Sequence, residues 1–117
     1  MRIWDVPVQC LCRKHLLGEH RELHCIWDIY NEGNEGYRNH PETRRWHGKL
    51  MALYLRHEAE VKEMERRGWK GHKSPLHFAN PVDIYFSKMF QNEYVTPIEE
   101  QYEMLRKKDC ECLLECD

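Results

Sequence analysis

The stretch KHLLGEHRELH, Lys14 to His24, places three histidines, two glutamates and an arginine within about three helical turns. Imidazoles and carboxylates are the side chains best suited to moving protons near neutral pH, so chemistry is expected here first. At about 100° per residue, His15 and Glu22 fall within about 20° of each other, with Glu19 about 40° to the other side of His15. That shared edge borders the apolar stripe of Leu16, Leu23 and Trp27, so Glu22 should be partly buried, where desolvation favours proton exchange by a carboxyl. Partly buried polar residues satisfied by backbone or by arginine would give the same pattern.

His20 and His24 are four apart with Glu22 between them, as on a zinc-protease helix. That motif needs glutamate directly after the first histidine, and Arg21 stands there, so the match fails. His57 lies on the apolar seam of a later helix and reads as a hydrogen-bonded core histidine. Cys10 and Cys12 could meet Cys110, Cys112 and Cys116 if the first and last helices are neighbours, and thiolates would then suit zinc or an iron–sulfur cluster. The spacing is not that of a zinc knuckle, and Cys110 and Cys112 point about 200° apart on a helix, so free thiols and no cofactor are expected. No glycine-rich phosphate loop, nucleophile elbow or kinase signature is present.

These residues need elements to hold them. Leu16, Leu23, Ile26, Trp27 and Tyr30 recur at helical spacing, predicting a first helix from about Gln9 to Tyr30, which NEGNEGYRNHP terminates. His40 before Pro41 suits a helix start, and Trp46, Leu50, Leu53, His57, Val61 and Met64 step by three and four until Gly68, predicting one long second helix. Asn80 is a plausible cap for a short helix from Pro81 to about Phe90. Thr96, Pro97 and Glu99 read as a capping box with proline at the first position of a last helix carrying Ile98, Tyr102 and Leu105 inward. No segment alternates with period two. The expected fold is all-α: a compact bundle of three main helices plus a short one, in a single domain spanning residues 1–117.

Hydrophobic content of 41% with 32% charged residues is ordinary for a folded soluble chain, and no apolar run approaches the ~20 residues that span a bilayer. MRIWDVPVQC has no apolar h-region after its arginine, so a cytoplasmic, reducing setting is expected. The net charge of −2 hides an asymmetry: residues 1–75 carry 14 basic against 11 acidic side chains, and residues 76–117 carry 4 against 9. Residues 38–73 alone hold 10 basic and 5 acidic groups, which fits either a face for an anionic partner or a solvated, self-balancing surface.

HLLGEHREL, His15 to Leu23, resembles the catalytic-helix motif of the pyrimidine-dimer DNA glycosylases of the endonuclease V type, small all-α enzymes. EMERRGW, Glu63 to Trp69, the opening MRIW and the loop GYRNHPETRRW are similar to small bacterial members, so the resemblance covers residues 1 to about 75. It implies Glu22 as the catalytic glutamate, His15 and Arg21 at the lesion site, and Arg2 beside the N-terminal nucleophile. The nucleophile it implies is the α-amino group of the first residue. Arg2 is too bulky to allow removal of the initiator methionine, and the register places Met1 at the family's nucleophile position. Such an amine, with pKa near 8, is neutral in roughly a tenth or more of molecules at pH 7, whereas a lysine near 10.4 is almost wholly protonated.

The implied activity is that of a monomeric DNA glycosylase with abasic-site lyase activity on double-stranded DNA. Arg38, Arg44, Arg45 and Lys49 are candidates for positioning the duplex, because phosphate contacts supply most non-specific affinity. Where the family has an arginine four residues beyond the motif's own, this chain has Cys25, and KKDCECLLECD replaces the family's aromatic-rich C-terminal segment. The resemblance therefore carries the reaction further than it carries the lesion. A non-catalytic, thiol-rich module that binds nucleic acid or protein, with its cysteine tail holding metal, is the alternative reading.

Overall fold

The structure, a computed structural model, describes residues 2–33, 36, 38–69, 75–78, 81–108 and 112. It is all-α, with no strand among the described residues. The helices are α1 (Arg13–Glu32), α2 (Pro41–Arg44), α3 (Leu50–Arg66), α4 (Pro81–Tyr85) and α5 (Ile98–Arg106). The two long ones, α1 and α3, pack against each other.

The first helix begins later than its periodicity suggested. Val8–Cys10 form a single 3-10 turn, and the chain is extended at Leu11 and Cys12 before α1 starts. On a helix continuing back from Leu16, Leu11 would point about 140° away from it. The break lets Leu11 and Leu16 both be buried in one cluster. α1 ends on Gly33 at φ 74°, the left-handed conformation in which glycine avoids a Cβ clash.

The long second helix expected from Pro41 to Gly68 is two elements. α2 starts as read, with Pro41 at its first turn and the His40 ring accepting from Glu42 N. After one turn the chain reverses through Gly48, at φ 74°, before α3 begins. Arg45, Trp46 and Lys49 are all buried in this segment.

α4 stops at Tyr85, short of the expected Phe90. There Ser87 Oγ donates to Ile84 O and accepts from Met51 N, hooking the segment onto the start of α3. The cap expected of Asn80 lies outside the described residues. In α5, Pro97 occupies the N-cap position and no side chain caps the helix, so the expected capping box is not made. The Thr96 carbonyl accepts instead from the Gln101 side chain. Leu105 is buried as expected, Ile98 and Tyr102 are half-buried, and Gln101 is buried beside them.

The interior is two apolar clusters separated by a polar seam. One contains Ile3, Leu23, Ile26, Trp27, Trp46, Leu53, Leu76 and Ile84; the other contains Trp4, Val6, Leu11, Leu16, Met64 and Leu105. Along α1 the residues between Leu16 and Leu23 include Glu19 and His20, and along α3 those between Leu53 and Met64 include Arg56, His57 and Glu60. Each fully buried Leu or Ile contributes roughly 1.5–3 kcal/mol. The buried polar groups of the seam must therefore satisfy one another or offset that gain.

Candidate functional site

The N-terminal segment, residues 2–5, is gripped at consecutive positions. Trp4 N donates to Glu19 Oε1 at 2.8 Å, and Glu19, fully buried, is held by a two-pronged Arg56 contact at 2.8 and 2.9 Å. Arg45 Nη2 donates to Ile3 O at 2.9 Å, and its Nη1 reaches Asp5 Oδ1 at 3.1 Å. Gln101 closes the grip, accepting from Asp5 N at 2.7 Å and donating to Asp5 Oδ2 at 2.9 Å. Ile3 itself is buried in the cluster that contains Leu23 and Ile26. The segment thus meets α1 at Glu19 and again around Leu23 and Ile26, on either side of Glu22.

Glu22 is half-buried on α1. Its charge is felt by Cys25, whose thiol is pushed up by burial and further by Glu22 and Asp28. Arg21 is exposed on the same helix. The Arg2 guanidinium lies over the Trp4 ring, 4.9 Å from its centroid. Met1 lies outside the described residues, so its relation to Glu22 is not part of the geometry.

His15 sits between two thiols, its Nδ1 3.2 Å from Cys12 Sγ and 3.3 Å from Cys112 Sγ, while Cys12 N donates to Cys112 Sγ at 3.2 Å. Burial lowers its basicity, helped by the charges of Lys108 and Lys14. Two of the cysteines singled out in the sequence therefore meet, with a histidine between them in a set able to hold a metal. Cys10 is buried, and Cys110 and Cys116 lie outside the described residues.

The four basic candidates for the duplex divide sharply. Arg38 and Arg44 are exposed and line an open hollow of about 540 Å³ with Ile29, Tyr30, Asn39 and His47. Both cations work against the burial that raises the Tyr30 phenol. Arg45 and Lys49 are each 4% exposed at the side chain. Arg45 pairs with Glu42 at 2.6 Å as well as with Asp5, and Lys49 reaches Glu93 at 2.7 Å and Gln91 at 3.0 Å. Their charges are engaged inside the molecule, and the Arg45 guanidinium organises the N-terminal segment.

The polar seam gathers residues that spacing alone kept apart. His57, buried as read, stacks on His20 with ring centroids 4.8 Å apart and meets His24 edge-on at 5.0 Å. Glu60 Oε1 lies 2.7 Å from His20 Nδ1. Burial and the neighbouring Glu19 push the Glu60 carboxyl up to about 11, with Arg56 opposing. Arg56, Glu60 and Gln101 carried no sequence motif. Their signal was only that charged or amide side chains stood at positions the helical period assigned to the interior.

A family model described as pyrimidine dimer DNA glycosylase matches residues 1–75. The match takes in α1, α2, α3 and the N-terminal segment, and leaves Gln101 and Cys112 beyond it. No curated protein and no solved structure gives a match.

Proposed function

The chain belongs to the pyrimidine dimer DNA glycosylase family, and from that premise we propose that it excises a damaged base, a pyrimidine dimer or a related lesion, and then cleaves the strand through an imine on the α-amino group of Met1. The observation that carries this reading is the threefold grip on residues 3–5, which fixes the approach to the N-terminus against the helix that bears Glu22. A positioned nucleophile needs such a hold, because holding two reacting groups together can supply about 7–11 kcal/mol of the barrier.

In the proposed reaction the neutral amine attacks C1′ and the glycosidic bond breaks, the base leaving with its electron pair and taking a proton from solvent. Ring opening gives an iminium at C1′, with the proton from nitrogen passing to O4′ through solvent. The Glu22 carboxylate stabilises that developing cation. Loss of a proton from C2′ then expels the 3′ phosphate by β-elimination, and water hydrolyses the imine to regenerate the amine. Arg2, His15 and Arg21 serve the lesion side of the site in this reading. Arg38 and Arg44, exposed around one hollow, serve the phosphates, and the protein acts on double-stranded DNA as a monomer. Borohydride reduction during turnover on abasic and dimer-containing duplexes should trap a covalent protein–DNA adduct. Base release or strand cleavage with no trappable adduct would replace the imine by direct hydrolysis.

A further inference from the structure

We propose that His20, His24 and His57 form a binding site for one divalent transition-metal ion of the zinc type, with three imidazole nitrogens as ligands and a fourth position for water. His20 and His24, four apart on α1, present their Nε2 atoms 3.2 Å from each other, and His57 comes from the facing helix α3. One nitrogen from each ring lies within 4.8 Å of the other two. Bonds of about 2.0–2.1 Å in tetrahedral geometry set ligand nitrogens about 3.3 Å apart, so the α1 pair already has the spacing and His57 must close by up to about 1.5 Å.

The surroundings select the ligand form. A carboxyl oxygen of Glu60 2.7 Å from His20 Nδ1 is best served by an N–H there, which leaves the His20 lone pair on Nε2, facing His24. Orientation of a liganding imidazole through its other nitrogen is the usual outer support of a metal site. Two imidazole nitrogens 3.2 Å apart also repel unless a proton or a metal lies between them. All-imidazole ligation suits zinc, copper, nickel or cobalt rather than magnesium or calcium. The ion would join α1 to α3 within the polar seam, beside the Arg56–Glu19 pair that holds Trp4 N.

Cobalt(II) added to the metal-free protein tests this without reference to activity. The expected result is one equivalent bound at the histidines, giving visible d–d bands without a thiolate-to-cobalt charge-transfer band and displaced by zinc. His24→Ala, with its fold checked by circular dichroism, should weaken that binding by at least about 100-fold, the upper end of what loss of an outer-shell partner costs. Cys12→Ser should leave it unchanged, and any second equivalent at the thiol cluster would carry the charge-transfer band and disappear in Cys12→Ser. Should His24→Ala fail to fold, His24→Gln and the wild-type spectrum decide the matter. No cobalt bound by folded wild-type protein, equal binding by His24→Ala, or cobalt bound only with the thiolate band would overturn the proposal.

Discussion

Glu22 and Glu19 stand one turn apart on α1 and have opposite surroundings. Glu19 is buried, paired with Arg56 and bonded to Trp4 N, so its carboxylate is structural; Glu22 is half-buried. Glu22→Gln keeps the shape and removes the charge, so base excision should fall by about 10² or more while duplex affinity stays near wild type. Unchanged turnover would remove Glu22 from the chemistry. The arginines separate in the same way. Arg44→Ala should flatten the dependence of log affinity on log salt by about 1, as loss of one phosphate contact does. Arg45→Ala should leave that slope alone and destabilise the fold by roughly 3–5 kcal/mol, because it strands Glu42 and Asp5 without their cation. Thermal melts and salt titrations of the two variants read these effects apart. The partial burial expected of Glu22 from its edge position is what the structure shows. The sequence did not distinguish Arg44 from Arg45, because neighbours in a basic run differ only in which way the backbone turns them.

The helices were legible as far as periodicity reaches. Leu16, Leu23 and Trp27 are buried on α1, and Leu53, His57 and Met64 on α3. What periodicity could not show was the reversal at Gly48, since the apolar positions on both sides continue a period of three and four across it. Gly48→Ala should lower the melting temperature by several degrees, the strain of a Cβ at φ 74° being about 1 kcal/mol, while no neighbouring atom opposes the methyl. The C-terminal end of α3 has its own dependence on pH. Hydrogen bonds from Arg66 and Arg67 hold the Glu63 carboxyl below its usual range, and Arg67 in turn donates to Leu11 O at 2.6 Å. A carboxyl with a lowered folded value stabilises the fold above its unfolded value near 4.5 and loses that contribution as pH falls through the folded value. Glu63→Gln should therefore melt lower near neutral pH, with the gap closing towards acid. A gap that stays constant with pH would mean the carboxylate charge contributes nothing there.

Across the whole molecule, two cores flank a polar seam, and the N-terminal segment spans both: Ile3 belongs to one core, Trp4 to the other, and the backbone between them is tied to Glu19 and Arg45. The seam was illegible in sequence because its α1 and α3 members stand 30 to 40 residues apart and no spacing rule pairs them. The N-terminus that this segment carries is where the proposed chemistry is tested most directly. If the Met1 amine is the nucleophile, adding a few residues before Met1, or acetylating the terminus, moves or removes that amine without touching any side chain. A misplacement of about 1 Å can cost a factor near 10² in a positioned attack. The direct measurement is borohydride trapping with peptide mapping, run on the native protein and on the extended one. The expected result is an adduct on Met1 in the native protein, and loss of both trapping and strand cleavage in an extended protein that melts normally. Equal cleavage by the extended protein, or an adduct mapped to Lys14 or Lys49, would contradict it.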